Sequence, residues 1–172
     1  WFRKSADQGH PLGQLNLALC YSQGVGVSQD SGVAVKWLEL SADQGNGAAQ
    51  EILGNHYLDG IGVTRNLSKA VDLFRSSADQ GRATAQCLLG KCYYHGQGIN
   101  QSYPEAVKWF RLAAEQDIIE AQAYLGACYS HGTGVGQDYA AAFYWSMIAA
   151  KKGYPLSQHE VALCYDFGRG VK

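Results

Sequence analysis

The chain has 172 residues, 47% of them apolar, with 14 basic against 15 acidic residues and only three prolines. This near-neutral charge supplies no electrostatic drive towards nucleic acid or an anionic membrane, and no apolar run approaches the roughly 18–20 residues of a membrane span. Internal repetition outweighs length as a guide to architecture. The sequence matches itself every 36 residues, with Tyr21, Tyr57, Tyr93, Tyr129 and Tyr165 at one phase and two glycines at fixed offsets after each. A period of this size means one small structural unit stacked many times.

In chain order, residues 1–8 (WFRKSADQ) match the end of a repeat, as comparison with WLELSADQ at Trp37 to Gln44 shows. Four full copies follow at 9–44, 45–80, 81–116 and 117–152, and residues 153–172 form a leading half. The sequence starts without Met and stops just past the loop that follows a repeat's first half, so it is expected to be a fragment of a longer array. With no polar capping helix, residues 1–8 and 166–172 are expected to fray or to support end-to-end self-association.

Within the copy from Gly45 to Gln80, Ala49, Leu53 and Tyr57 are spaced by four and mark one face of a helix of about thirteen residues. Gly60 and Gly62 end it, because glycine adopts the left-handed conformation that satisfies the last helical carbonyls. Asp30, Asn66, Ser102 and Asp138 share the phase that opens a second helix and are N-cap candidates. Its inward face is Ala70, Leu73 or Phe74, Ser77 and Ala78. Gly9, Gly45, Gly81 and Gly153 then mark a tight turn, with Asp117 the departure. Small residues recur where helices must approach: Ala18, Gly54, Gly90, Gly126 and Ala162 in the first helix, Ala34, Ala70, Ala106 and Ala142 in the second. Large residues, including Trp37, Trp109 and Trp145, are expected to fill the gaps between them. Two such helices cannot bury both faces alone. Stacking predicts an all-α fold, a right-handed α/α superhelix of helix-turn-helix repeats.

The pattern A-x3-LG-x2-Y-x2-G-x-GV-x2-D-x3-A-x2-W-x4-A-x2-G resembles the Sel1-like repeat, a relative of the tetratricopeptide repeat. Residues 85–114, AQCLLGKCYYHGQGINQSYPEAVKWFRLAA, show it well. Departures are mild: Leu17-Ala18 and Val161-Ala162 stand where the other copies have Leu-Gly. The resemblance implies an adaptor that assembles complexes, in bacterial signalling, endoplasmic-reticulum quality control or attached to kinases. It therefore implies a protein or peptide partner, either directly or through a regulatory spacer region of a larger signalling protein.

Chemistry has few footholds. Cys20, Cys92, Cys128 and Cys164 share a phase with His56, but equivalent residues of neighbouring helices lie about 8–10 Å apart, beyond the roughly 7 Å that a disulfide needs. Close Cys-x-x-Cys spacing for zinc is also lacking. These cysteines read as small apolar packing residues. A secreted, cysteine-rich branch of the resembling family carries a bridge between the two helices of each repeat and reported β-lactamase activity. Here no second helix contains a cysteine, and Ser-x-x-Lys, Ser-Asp-Asn and Lys-Thr-Gly are all missing. The unpaired thiols favour a reducing, cytoplasmic compartment. Asn66-Leu67-Ser68 and Asn100-Gln101-Ser102 are sequons for use in a secretory lumen, although they coincide with the N-cap phase. His95 and His131 share a loop phase but have no third ligand. No catalytic residue, metal site or cofactor is expected.

The first helices of stacked hairpins line the concave side. Opposite the buried stripe stand Leu15 and Leu19, Glu51 and Asn55, Cys87 and Lys91, Ala123 and Ala127, and His159 and Leu163. These vary while the core phases do not, and they form the predicted partner-binding groove. Leu12, Leu15 and Leu19 make an apolar patch, suited to a peptide's apolar anchor or to cover by a preceding repeat.

Overall fold

The computed structural model describes residues 1–171, and among them it has ten α-helices and no strand. Lys172, the last residue of the expected C-terminal half repeat, lies outside the described residues. The helices are α1 (Phe2–Asp7), α2 (Pro11–Gln23), α3 (Ser31–Asp43), α4 (Gly47–Asp59), α5 (Leu67–Ala78), α6 (Ala83–His95), α7 (Tyr103–Glu115), α8 (Ile119–His131), α9 (Tyr139–Lys151) and α10 (Pro155–Asp166). The chain divides into two compact units, residues 1–85 and 86–172, each built of helical hairpins packed in succession. No described helix is long and apolar enough to cross a membrane.

Local sequence sets the helix ends. The side chains of Asp30, Asn66, Ser102 and Asp138 accept backbone N–H bonds from Val33, Lys69, Glu105 and Ala141, so the predicted caps open α3, α5, α7 and α9. Each cap replaces a solvent bond at an otherwise orphaned donor and is worth about 1 kcal/mol. Just before them, the N–H groups of Asp30, Asn66, Ser102 and Asp138 donate to the carbonyls of Tyr21, Tyr57, Tyr93 and Tyr129, at 2.8–3.0 Å. The repeating tyrosine thus ties the loop back onto its own helix. Its hydroxyl also bonds across helices: Arg111 donates to Tyr129 at 2.7 Å, Arg3 donates to Tyr21, and Tyr57 donates to Glu39 at 2.7 Å.

The two loop glycines do different work. The first closes the helix: Gly24, Gly60 and Gly132 sit at φ of 73°, 74° and 68°. The second lets the preceding hairpin come close. A Cβ on Gly62 would collide with the backbone carbonyl of Ser31, one on Gly134 with that of Tyr103, and one on Gly170 with that of Tyr139. In each case the loop of one copy rests on the start of the preceding copy's second helix. At the tight turns Gly9, Gly45, Gly81 and Gly153 adopt φ of 82–86°, and Asp117 takes the same left-handed conformation at 68°.

Ala49, Leu53 and Tyr57 are buried as expected, and of the alternatives in α5 it is Phe74 that is fully enclosed. Its ring fills the space that Gly54 leaves: a Cβ there would lie 2.5 Å from Phe74 Cε1, and one on Gly90 would lie 2.7 Å from Phe110. Burying one such ring stabilises the fold by about 1.5–3 kcal/mol. The tryptophans do not fill these gaps. Trp37, Trp109 and Trp145 are only half-buried, because the inward direction belongs to the next residue along, Leu38, Phe110 and Ser146.

A polar ladder runs through this core. Gln14, Gln50, Gln86 and Gln122 are all buried. Gln44 donates to Gln14, Gln80 to Gln50 and Gln116 to Gln86, each at 2.7–2.8 Å and each 30 residues apart. The same donor amides also bond the helix-end carbonyls of Leu40, Ser76 and Leu112, while Gln50 and Gln122 donate back to Ala42 and Ala114. Ser41 and Ser77 add parallel bonds to Pro11 and Gly47. At the last rung Lys152 stands where glutamine is due. It turns to Asp117 at 2.9 Å, and Gln122 Oε1 is left buried without a partner. The Lys152 hydrogen bond, followed by its charge, holds the Asp117 carboxyl below the usual range. The two departures from the repeat, Asp117 and Lys152, thus answer each other.

Two stability outcomes follow. Gly134→Ala, which combines a positive φ with a clash against backbone, should cost about 3 kcal/mol in urea unfolding. Gly136→Ala, with open space around its Cβ, should cost far less. The double change Asp117→Gly with Lys152→Gln should raise the urea midpoint, since restoring a bond to Gln122 Oε1 is worth about 1 kcal/mol. A lowered midpoint would show that the Asp117–Lys152 pair outweighs the missing rung.

Candidate functional site

The predicted groove positions do not all reach an open face. In the first unit Leu15 is buried, Leu19, Glu51 and Asn55 are half-buried, and Leu12 is 66% exposed. Leu12, Leu15 and Leu19 therefore do not share one open apolar patch. Glu51 is paired with Arg82 at 2.8 Å. In the second unit Cys87 is 2% exposed, which removes it from any accessible surface. Lys91 is paired with Glu120 at 2.9 Å. At Glu51 and Cys87 this phase faces the seam with the following copy rather than solvent. That is the physical reason for the difference: Arg82 meets Glu51 from 31 residues on, and Glu120 approaches Cys87 Sγ at 3.9 Å.

Three predicted residues do converge. Ala123, Ala127 and His159 line a cleft of about 250 Å³ on α8 and α10. Leu163 faces a separate, smaller cleft beside Cys164 and Phe167. The larger cleft is completed by Tyr94, Tyr124, Tyr154, Leu156, Ser157 and Glu160, none of which periodic reasoning selected. Their signal was irregularity: Tyr94 stands where other copies have Ser22, Leu58, Ser130 and Asp166, and Tyr154 where they have His10, Asn46, Arg82 and Ile118.

The aromatic wall is held from behind. Tyr124 stacks on the fully buried Phe110 at 4.7 Å with rings 13° from parallel, and meets Tyr94 edge-on at 5.4 Å. Tyr94 in turn packs edge-on against Tyr103 at 5.2 Å. Burial raises the phenol pKa of both Tyr94 and Tyr124, so both present neutral hydroxyls. Burial alone would lower Lys91, but its hydrogen bond and attraction to Glu120 more than offset this and hold it charged. His95 Nε2 lies 3.3 Å from the Tyr124 hydroxyl, and His131 Nδ1 lies 2.9 Å from the Ala127 carbonyl.

Among the described residues no cluster of three or more histidine, cysteine or carboxylate side chains is arranged to hold a metal, and all five cysteines are free. Burial pushes the Cys92 and Cys128 thiols up to about 11; burial and then the Glu120 charge push Cys87 to about 12. These groups pack; they are not nucleophiles at neutral pH.

The Sel1 repeat family model matches residues 1–10, 11–46, 47–81, 83–118, 119–154 and 155–172. The chain belongs to the Sel1 repeat family. Its fold is accordingly the all-α solenoid of helical repeats expected from the sequence. A protective antigen of uropathogenic Escherichia coli that displays an SLR fold is 38% identical, with a TM-score of 0.96. That similarity covers 100% of this chain but 37% of the antigen, so the chain spans little more than a third of that protein's length. A Sel1 repeat protein from Oxalobacter formigenes is 33% identical over 96% of this chain and 68% of its own, with a TM-score of 0.90. The cysteine-rich protein B of Helicobacter pylori, 23% identical with a TM-score of 0.55 over 70% of this chain and 86% of its own, shares the fold. No curated protein matches the sequence. Sel1 repeat proteins generally mediate protein–protein interaction and are generally non-enzymatic scaffolds.

The thiol environments of this Sel1 array give a direct check. Brief iodoacetamide treatment of the native chain, read by peptide mass spectrometry, should label the half-buried Cys20 first and leave Cys87, Cys92 and Cys128 unmodified until urea is added. Early labelling of Cys92 or Cys128 would mean that the hairpins open readily.

Proposed function

We propose that this Sel1 repeat chain is an interaction scaffold that takes an extended segment of a partner protein on its first-helix face, with no catalytic step of its own. The observation that carries this reading is the cleft of Tyr94, Ala123, Tyr124, Ala127 and Tyr154. Tyrosines offer large, rigid contact area at low entropic cost and are enriched where proteins meet. The two alanines leave the floor between them low. At about 250 Å³ the space is smaller than the roughly 300–1,000 Å³ of small-molecule sites, and suits one or two anchoring side chains of a peptide.

Charge reversal at Glu51 and Lys91 would be a poor probe of this face, because each is neutralised within the chain by Arg82 and Glu120. Recognition is assigned instead to the aromatic cleft, whose surface is not consumed by packing. A displayed library of random dodecapeptides, panned on the chain, should yield binders that Ala123→Arg with Ala127→Arg weakens at least tenfold. Lys36→Glu, on the exposed side of α3, should leave them unchanged, and far-UV circular dichroism should show all variants equally helical. Binders indifferent to both cleft arginines would place recognition elsewhere on the molecule.

A further inference from the structure

The charge balance of the cleft narrows the partner's chemistry. Lys91 and Glu120 cancel one another at 2.9 Å, and His159 is an exposed imidazole. Glu160 is different. It is half-buried at the wall of the cleft, and among the described residues no cation lies within ion-pair distance of it. Arg169, which lines the adjoining smaller cleft with Glu160, is committed elsewhere: its guanidinium sits 5.2 Å from the ring of Tyr139 and 5.1 Å from that of Phe167.

Tyr94 and Tyr124, whose rings meet at 65°, line the cleft together with Tyr154. Aromatic faces carry negative quadrupole potential and attract cations within about 6 Å of the centroid. A carboxylate beside them adds charge of the same sign. Anionic side chains are disfavoured there, and a neutral apolar anchor would leave Glu160 partly desolvated with nothing in return.

We propose that the anchor taken by this cleft is an arginine side chain of the partner peptide, its guanidinium lying against the tyrosine rings and donating to the Glu160 carboxylate. Arginine fits better than lysine because its planar group stacks on rings and presents paired donors to a carboxylate, and because it gives up water more easily. This inference rests on the peptide-scaffold reading above and adds the identity of the anchor.

The test uses the peptides selected from the dodecapeptide library, resynthesised with the arginine kept, changed to alanine or changed to citrulline, which keeps the shape and removes the charge. Calorimetric titration should show at least a tenfold loss of affinity for both replacements. Glu160→Gln, a near-isosteric change, should weaken the arginine peptide about as much and leave the citrulline peptide unchanged, and raising salt should weaken only the charged pair. Tyr154→Phe should have little effect, and Tyr154→Ala a large one. Selected peptides without an arginine in common, or an arginine peptide indifferent to Glu160→Gln, would overturn the anchor assignment while leaving the scaffold reading intact. Failure to select any peptide sensitive to Ala123→Arg with Ala127→Arg would overturn both.

Discussion

The fold depends on one constraint: consecutive hairpins must meet backbone to backbone at a fixed register. The second loop glycine makes that possible, since Gly62 lies on Ser31, Gly134 on Tyr103 and Gly170 on Tyr139 with no room for a Cβ. Within each hairpin, bonds spanning 30 residues tie its two helices together, from Gln44 to Gln14, Gln80 to Gln50 and Ser77 to Gly47. An apolar interface alone would tolerate sliding. These bonds do not, because a shift of one residue would leave buried amides unpaired at 1–3 kcal/mol each. The ladder therefore supplies register, and the phenylalanines and leucines supply the bulk of the burial energy.

Much of this was legible in the sequence because it arises within a single copy. Helix faces, N-caps at Asp30, Asn66, Ser102 and Asp138, and left-handed glycines follow from local rules. The glutamine ladder was also written in the sequence, as glutamine at two phases in copy after copy, yet polar residues read singly suggest surface. Only packing between helices places Gln122 at 1% exposure. The same limit governs the tryptophans. Trp109 and Phe110 are adjacent apolar residues, and it is Phe110 that enters the space Gly90 leaves on the facing helix.

The groove positions show a subtler failure. Variation at the phases of Glu51 and Lys91 suggested a surface released from structural duty. In the fold this variation is compensated between neighbouring copies: Glu51 is answered by Arg82, and Lys91 by Glu120. Positions that vary in pairs are still structural. Periodicity cannot distinguish a free position from one whose partner, about 30 residues away, has changed with it. Asp117 and Lys152 repeat the lesson at the turn, where both depart from the pattern and bond to each other.

What distinguishes the aromatic cleft is that its irregular residues are supported by regular ones. Gly90 yields space to Phe110, Phe110 is enclosed and backs Tyr124 by stacking, and Tyr124 forms part of the open wall. A residue required for stacking thus fixes the orientation of one available for recognition, and the entropy of ordering that ring is spent in folding rather than in binding. Alanines at 123 and 127 keep the neighbouring surface low, so the rings stand clear. The repeat supplies a rigid support, and the copy-specific tyrosines, together with Glu160, give one face of it a chemistry that the other copies lack.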